Sequence, residues 1–175
     1  DTGIIQHTKF GIPNLKEGYC LDDNARALIM ALMAYKETKN REALELCPVY
    51  LSYIHYMQND DGTFRNFLNF DRSFLEERGS EDAFGRAIWA IGYMMDNAPD
   101  DSYYQIGKFM LDKALPVFDS LRSVRSIANV IIGVSYYLRK NMGDDVMIER
   151  LRKLTTFLAE EYRQNAHDGW KWYEI

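Results

Sequence analysis

Apolar residues recur at helical spacing in six stretches, and the stretches alternate between two kinds. From Leu21 to Tyr35, Leu28, Ile29, Leu32, Met33 and Tyr35 mark one side, while Ala25, Ala27, Ala31 and Ala34 keep the rest small and apolar. That pattern predicts a buried helix. From Arg41 to Gln58, Leu44, Leu46, Leu51, Ile54 and Met57 form a stripe among Glu, Lys and Tyr, the pattern of an outer amphipathic helix. Pro48 is expected to kink this helix or delay its start.

The alternation repeats twice. Asp82 to Met95 is apolar around Ala87, Ile88, Trp89, Ala90 and Ile91, and Tyr103 to Phe118 is amphipathic. Val124 to Leu138 is apolar again, and in Asp145 to Arg163 the residues Ile148, Leu151, Leu154, Phe157 and Leu158 oppose Glu149, Arg150, Arg152 and Lys153. The chain therefore reads as all-α, one helical domain over residues 1–175 made of three inner/outer helix pairs. The inner helices share a degenerate repeat: Arg26-Ala27-Leu28-Ile29, Arg86-Ala87-Ile88-Trp89 and Arg125-Ser126-Ile127-Ala128. Asp61-Gly62-Thr63-Phe64 and Asp168-Gly169-Trp170-Lys171-Trp172 echo each other just after outer helices, as tight turns followed by aromatic residues.

Composition narrows the classes. With 21 Lys and Arg against 26 Asp and Glu, interspersed and without a basic run, the chain is not expected to bind nucleic acid. It contains no apolar run near the ~20 residues a membrane span requires, so no membrane partner is expected. Cys20 and Cys47 stand far apart in unlike contexts and read as reduced thiols in a cytoplasmic compartment. His7, His55 and His167 form no ligand spacing with cysteine or acid neighbours, so neither a metal nor another cofactor is expected. P-loop, GxGxxG and nucleophile-elbow motifs are absent, and Asp22-Asp23 lacks the continuation that diphosphate-binding acid clusters use.

Two strings carry a resemblance. Glu17-Gly18-Tyr19-Cys20-Leu21-Asp22-Asp23-Asn24-Ala25-Arg26-Ala27-Leu28 and Gly79-Ser80-Glu81-Asp82-Ala83-Phe84-Gly85-Arg86-Ala87-Ile88-Trp89-Ala90 resemble the helical domains that accompany glycosyltransferases in bacterial glycan-processing proteins. More broadly, the hairpin pattern is similar to the (α/α) toroids of six-hairpin glycosidases, polysaccharide lyases and the N-acylglucosamine 2-epimerase group. A full toroid has six hairpins and this chain supplies three. The resemblance thus implies half of an (α/α)6 toroid-like fold, a piece of a larger toroid or multidomain protein whose wall a partner copy or another segment completes, with a homodimer or a covalently attached glycosyltransferase domain as the expected protein partner.

In such a ring the inner helices start at one rim, which gathers Asp22, Asp23, Glu81 and Asp82 as candidate catalytic carboxylates for acid/base or nucleophilic work on a glycosidic bond. The competing reading of the same acids is helix capping. Candidate saccharide-binding residues are Asn24, Arg26, Asp61, Phe64, Arg65, Arg86, Trp170 and Trp172: polar groups and arginine forks for hydroxyls, flat rings for sugar C–H faces. The arginines equally suit an inner ring of salt bridges to the rim acids. The segment from Asn59 to Gly79, long for a hairpin connection, is expected to carry function or fold over the cavity. The expected partner is a saccharide or glycan.

Overall fold

A computed structural model describes residues 2–167. Among them are six helices: α1 (Leu21–Thr38), α2 (Arg41–Tyr56), α3 (Glu81–Asp96), α4 (Asp101–Ala114), α5 (Val124–Lys140) and α6 (Asp145–Asn165). The chain is all-α, as its periodicity predicts. Side-chain caps start five of the six: Asn40, Ser80, Asp100, Ser123 and Asp144 each accept a hydrogen bond from a backbone N–H in the first turn. Trp170, Trp172 and the second Asp-Gly turn lie outside the described residues.

Two boundaries differ from the sequence reading. The stretch expected as one helix to Phe118 stops at Ala114 and continues as a 3-10 segment, Leu115–Ser120, because Pro116 has no N–H for the α-helical ladder. Pro48 sits inside α2, which starts at Arg41 and runs through it.

α1, α3 and α5 pack side by side, and α2, α4 and α6 each cover one of them. The inner helices run parallel. Asp82 pairs with Arg125 and Asp96 with Arg139, both 43 residues apart, so the register holds from the first turn of α3 to its last. Lys36 reaches Asn97 across 61 residues, which fixes α1 beside α3 in the same sense. This register also corrects the repeat: Arg125 stands beside Asp82, about one turn nearer the helix start than Arg86, and Asn129 is the α5 counterpart of Arg86.

Glycine sets the closeness of α3 to α5. A Cβ on Gly92 would lie 2.0 Å from the Gly133 carbonyl oxygen, and one on Gly133 would lie 2.3 Å from that of Ile88. Only hydrogen fits at either place. Around this contact Ile88, Ile91, Met94, Val130 and Val134 are completely buried.

The ends of the inner helices are tied down by short strands. β1 (Thr8–Lys9) pairs with β2 (Ile12–Pro13), and β3 (Tyr19–Cys20), leading into α1, pairs antiparallel with β4 (Phe67–Leu68) in the long α2–α3 connection. Leu21 N–H then donates to Asn66 O at 2.8 Å, so the connection is clamped to the start of α1.

Gly92→Ala should destabilise the fold by about 1–3 kcal/mol in urea unfolding, since overpacking between two backbones cannot be relieved by a rotamer change. Gly143→Ala, where a Cβ meets nothing within 4 Å, should shift stability by less than about 0.5 kcal/mol. A further test concerns Asp144, whose carboxylate caps Met147 N–H and accepts the Tyr137 hydroxyl at 2.7 Å. The backbone hydrogen bond to Met147 is the main cause that holds its pKa below the ordinary 3.8. A depressed pKa contributes stability above the unfolded value and loses it as pH falls through the folded one. Asp144→Ala should therefore cost about 1–2 kcal/mol at neutral pH, and the difference from wild type should shrink in acid below that ordinary value.

Candidate functional site

Because α1, α3 and α5 are parallel and nearly level, their first turns share one rim. Asp22, Asp23 and Arg26 come from α1, Glu81, Asp82 and Arg86 from α3, and Arg122, Ser123 and Arg125 from the start of α5. The acids are largely committed. Asp22 pairs with Arg26 one turn along, and Arg86 Nε from the neighbouring helix stands 3.0 Å from its other oxygen. Arg125 Nη1 lies 2.8 Å from Asp82 Oδ2. Glu81 Oε2 accepts from Arg122 N–H at 2.8 Å and Ser123 N–H at 2.6 Å, so this acid caps the next inner helix. Ser126 Oγ donates to Glu81 O at 2.6 Å and locks the same junction.

Asp23 is in no such ion pair among the described residues. It flanks Cys20, whose thiol is pushed up to about 11 chiefly by burial, with the Asp23 charge adding to the rise. Cys20 is thus a protonated, buried thiol rather than a nucleophile at neutral pH. Cys47 is buried likewise and also pushed up to about 11 by burial.

The remaining candidates separate into framework and surface. Asn24 is completely buried and bonds the N-terminal arm, accepting from Ile4 N–H at 2.9 Å and donating to Cys20 O at 2.9 Å. Phe64 is a core residue, edge-on to Phe84 at 5.7 Å between centroids. The Asp61 carboxylate accepts the Thr63 hydroxyl at 2.6 Å and Thr63 N–H at 3.0 Å, bonds that hold its pKa below the usual carboxylate range and shape the turn. The Arg65 guanidinium lies over the Phe74 ring at 4.1 Å. Arg26 and Arg86 reach the rim, and Arg86 stacks over Trp89 at 5.7 Å. The Asn59–Gly79 connection closes on itself and on β3: Glu76 Oε1 accepts from Phe67 N–H at 2.7 Å, and Gly79 N–H donates to Phe64 O.

Two groups on this face were not among the sequence's candidates. Trp89 and Asn129 sit within one turn of the rim arginines, and the indole N–H of Trp89 and the amide nitrogen of Asn129 are buried donors with no acceptor among the described residues. Their signal was spacing: 82, 86, 89, 93 and 96 on α3 match 125, 129, 132, 136 and 139 on α5, a 4–3 alternation that puts one face of each parallel helix on a common side. Along that face charged rungs give way to Trp89, Ile132 and the Tyr93–Tyr136 edge contact at 5.1 Å. Among the described residues no three His, Cys, Asp or Glu side chains gather as a metal-binding set, and no helix is long and apolar enough to cross a membrane. No known family model matches the chain, and no curated protein matches it.

Glu81→Ala should destabilise the fold by about 1–3 kcal/mol, because two backbone donors at the start of α5 lose their acceptor. Thermal or urea unfolding reads this directly; a change within about 0.5 kcal/mol would show that Glu81 is dispensable to the framework.

Proposed function

We propose that the three-hairpin array is half of an (α/α)6 toroid-like ring whose helix-start rim binds a glycan, as the saccharide-positioning part of a glycan-processing protein. One observation carries the reading: the parallel register brings carboxylates, arginine forks and an indole together on one accessible face. Carboxylates and guanidinium groups bond sugar hydroxyls in directed pairs, and Trp89 and Ile132 offer the apolar surface on which a pyranose C–H face rests. The resemblance of the Glu17–Leu28 and Gly79–Ala90 strings to glycosyltransferase-associated helical domains supports the same reading.

The geometry favours binding over cleavage. Glycoside hydrolysis requires one protonated and one ionised carboxyl facing the same bond. Here Asp22 and Asp82 are tied to arginine and Glu81 is spent on backbone donors, which leaves Asp23 alone. Ion pairs of this kind present a fixed array of donors and acceptors to hydroxyls.

Calorimetric titration with manno-, gluco- and uronic oligosaccharides tests the proposal. Wild type should bind one class, and Asp23→Asn or Asp82→Asn should weaken that binding at least tenfold, about 1.4 kcal/mol. Both variants should stay folded, since the Asp82–Arg125 pair is largely exposed and contributes under about 1 kcal/mol. If folded wild type binds none of these saccharides, the chain is a scaffold or protein-interaction module.

A further inference from the structure

Asp22 is the point at which arginines from two helices meet. Arg26 Nη2 reaches one of its carboxylate oxygens from one turn along α1, and Arg86 Nε of α3 stands 3.0 Å from the other. A carboxylate ion-paired at both oxygens by guanidinium groups is the arrangement with which proteins hold an anionic ligand. Here the chain supplies the anion itself. The Asp22 side chain is 26% exposed and that of Arg86 25%, so the junction is partly screened from water, and Arg86 also lies over the Trp89 ring.

The rest of the rim is balanced in the same way. Asp82 takes Arg125, the Glu81 carboxylate takes the backbone N–H groups of Arg122 and Ser123, and the Arg122 guanidinium donates to the carbonyls of Asp119 and Leu121. Among the described residues, Asp22 and Asp23 stand against Arg26 and Arg86 on the α1–α3 side, and Glu81 and Asp82 against Arg122 and Arg125 on the α3–α5 side. Neither side carries excess positive charge. The carboxylate of a uronic sugar accepts hydrogen bonds and donates none, so at this rim it competes with Asp22 and Asp82 for arginines they already hold, and Asp23 repels it. A hydroxyl donates and accepts at once. It can bond a carboxylate and the paired guanidinium together without parting them.

We infer that the rim selects uncharged saccharides and that Asp22 sets this selectivity, by standing where the carboxylate of a ligand would otherwise sit between Arg26 and Arg86. The inference rests on the glycan reading and narrows it to neutral sugars. Asp22 is then a specificity-determining residue, and its loss opens the rim to a second class of ligand. Asp22→Ala vacates the position and leaves Arg26 and Arg86 against Asp23 alone, one positive charge in excess. Alanine is a good helix former for the first turn of α1, and the Arg26 side chain, 56% exposed, returns to water at little cost.

Calorimetry of the full chain with manno- and gluco-oligosaccharides, and with mannuronic and glucuronic oligosaccharides of the same length, tests this selectivity. Wild type should prefer a neutral series at least tenfold over its uronic counterpart. In Asp22→Ala the affinity for the uronic counterpart should rise at least tenfold, and added salt should weaken that gained binding while leaving neutral binding unchanged. Asp22→Asn, which keeps a neutral acceptor for the guanidinium groups, carries the same comparison should Asp22→Ala lose its helical circular dichroism. A separate arm uses no saccharide: acetate in place of chloride at equal ionic strength should raise the unfolding midpoint of Asp22→Ala and leave that of wild type unmoved. Wild type that takes uronic sugars at least as tightly as neutral ones overturns the inference and leaves the glycan reading standing. So does a folded variant that gains no uronic affinity, or an acetate effect no larger in the variant than in wild type. Folded wild type that binds none of the four series overturns the glycan reading and this selectivity with it.

Discussion

Where Gly92 meets Gly133, the backbones of α3 and α5 come close enough that a methyl group on either has no room. The contact does more than bring two helices near each other. Parallel helices can slide by a turn at modest cost when large flexible side chains separate them, but glycines seated in a backbone groove hold one register. Asp82–Arg125 at one end and Asp96–Arg139 at the other repeat that register in charge, and the Glu81 cap on the α5 start repeats it in hydrogen bonds. The rim exists because all three devices agree on the same height.

From that constraint the chemistry of the face follows. Level helix starts concentrate N-terminal acids, which the helix dipole favours there, and arginines one turn along neutralise them. The outcome is a polar patch, ion-paired at its edge, with Trp89, Ile132 and the tyrosine pair along its floor. The proposed glycan reading rests on that patch of donors and acceptors beside apolar rings. On the proposed glycan reading, acids tied to arginine suit recognition better than bond cleavage.

Much of the fold is readable from sequence because local rules act there without competition. Helix starts follow Asn40, Ser80, Asp100, Ser123 and Asp144, and inner and outer helices separate by alanine content against charge. Pro116 is the exception: amphipathic spacing continues past it, but the missing donor turns the chain into a 3-10 segment. The site is less readable because its residues answer partners distant in sequence. Glu81 looks like a rim acid, and only the register shows that it caps a helix more than forty residues on. Asn24 and Phe64 carry ligand-like side chains that the N-terminal arm and the core take up. The arginine repeat aligns Arg125 with Arg86 by letter, whereas glycine packing sets it one turn away.

Backbone and indole N–H chemical shifts followed during saccharide titration test the shared rim most directly, since they locate binding without assuming which side chain contributes. The account predicts that one ligand perturbs the first turns of α1, α3 and α5 together, residues 22–30, 81–89 and 122–132, with the Trp89 indole N–H among the largest changes. Perturbations confined to the α2–α3 connection, or to a single helix, would contradict it.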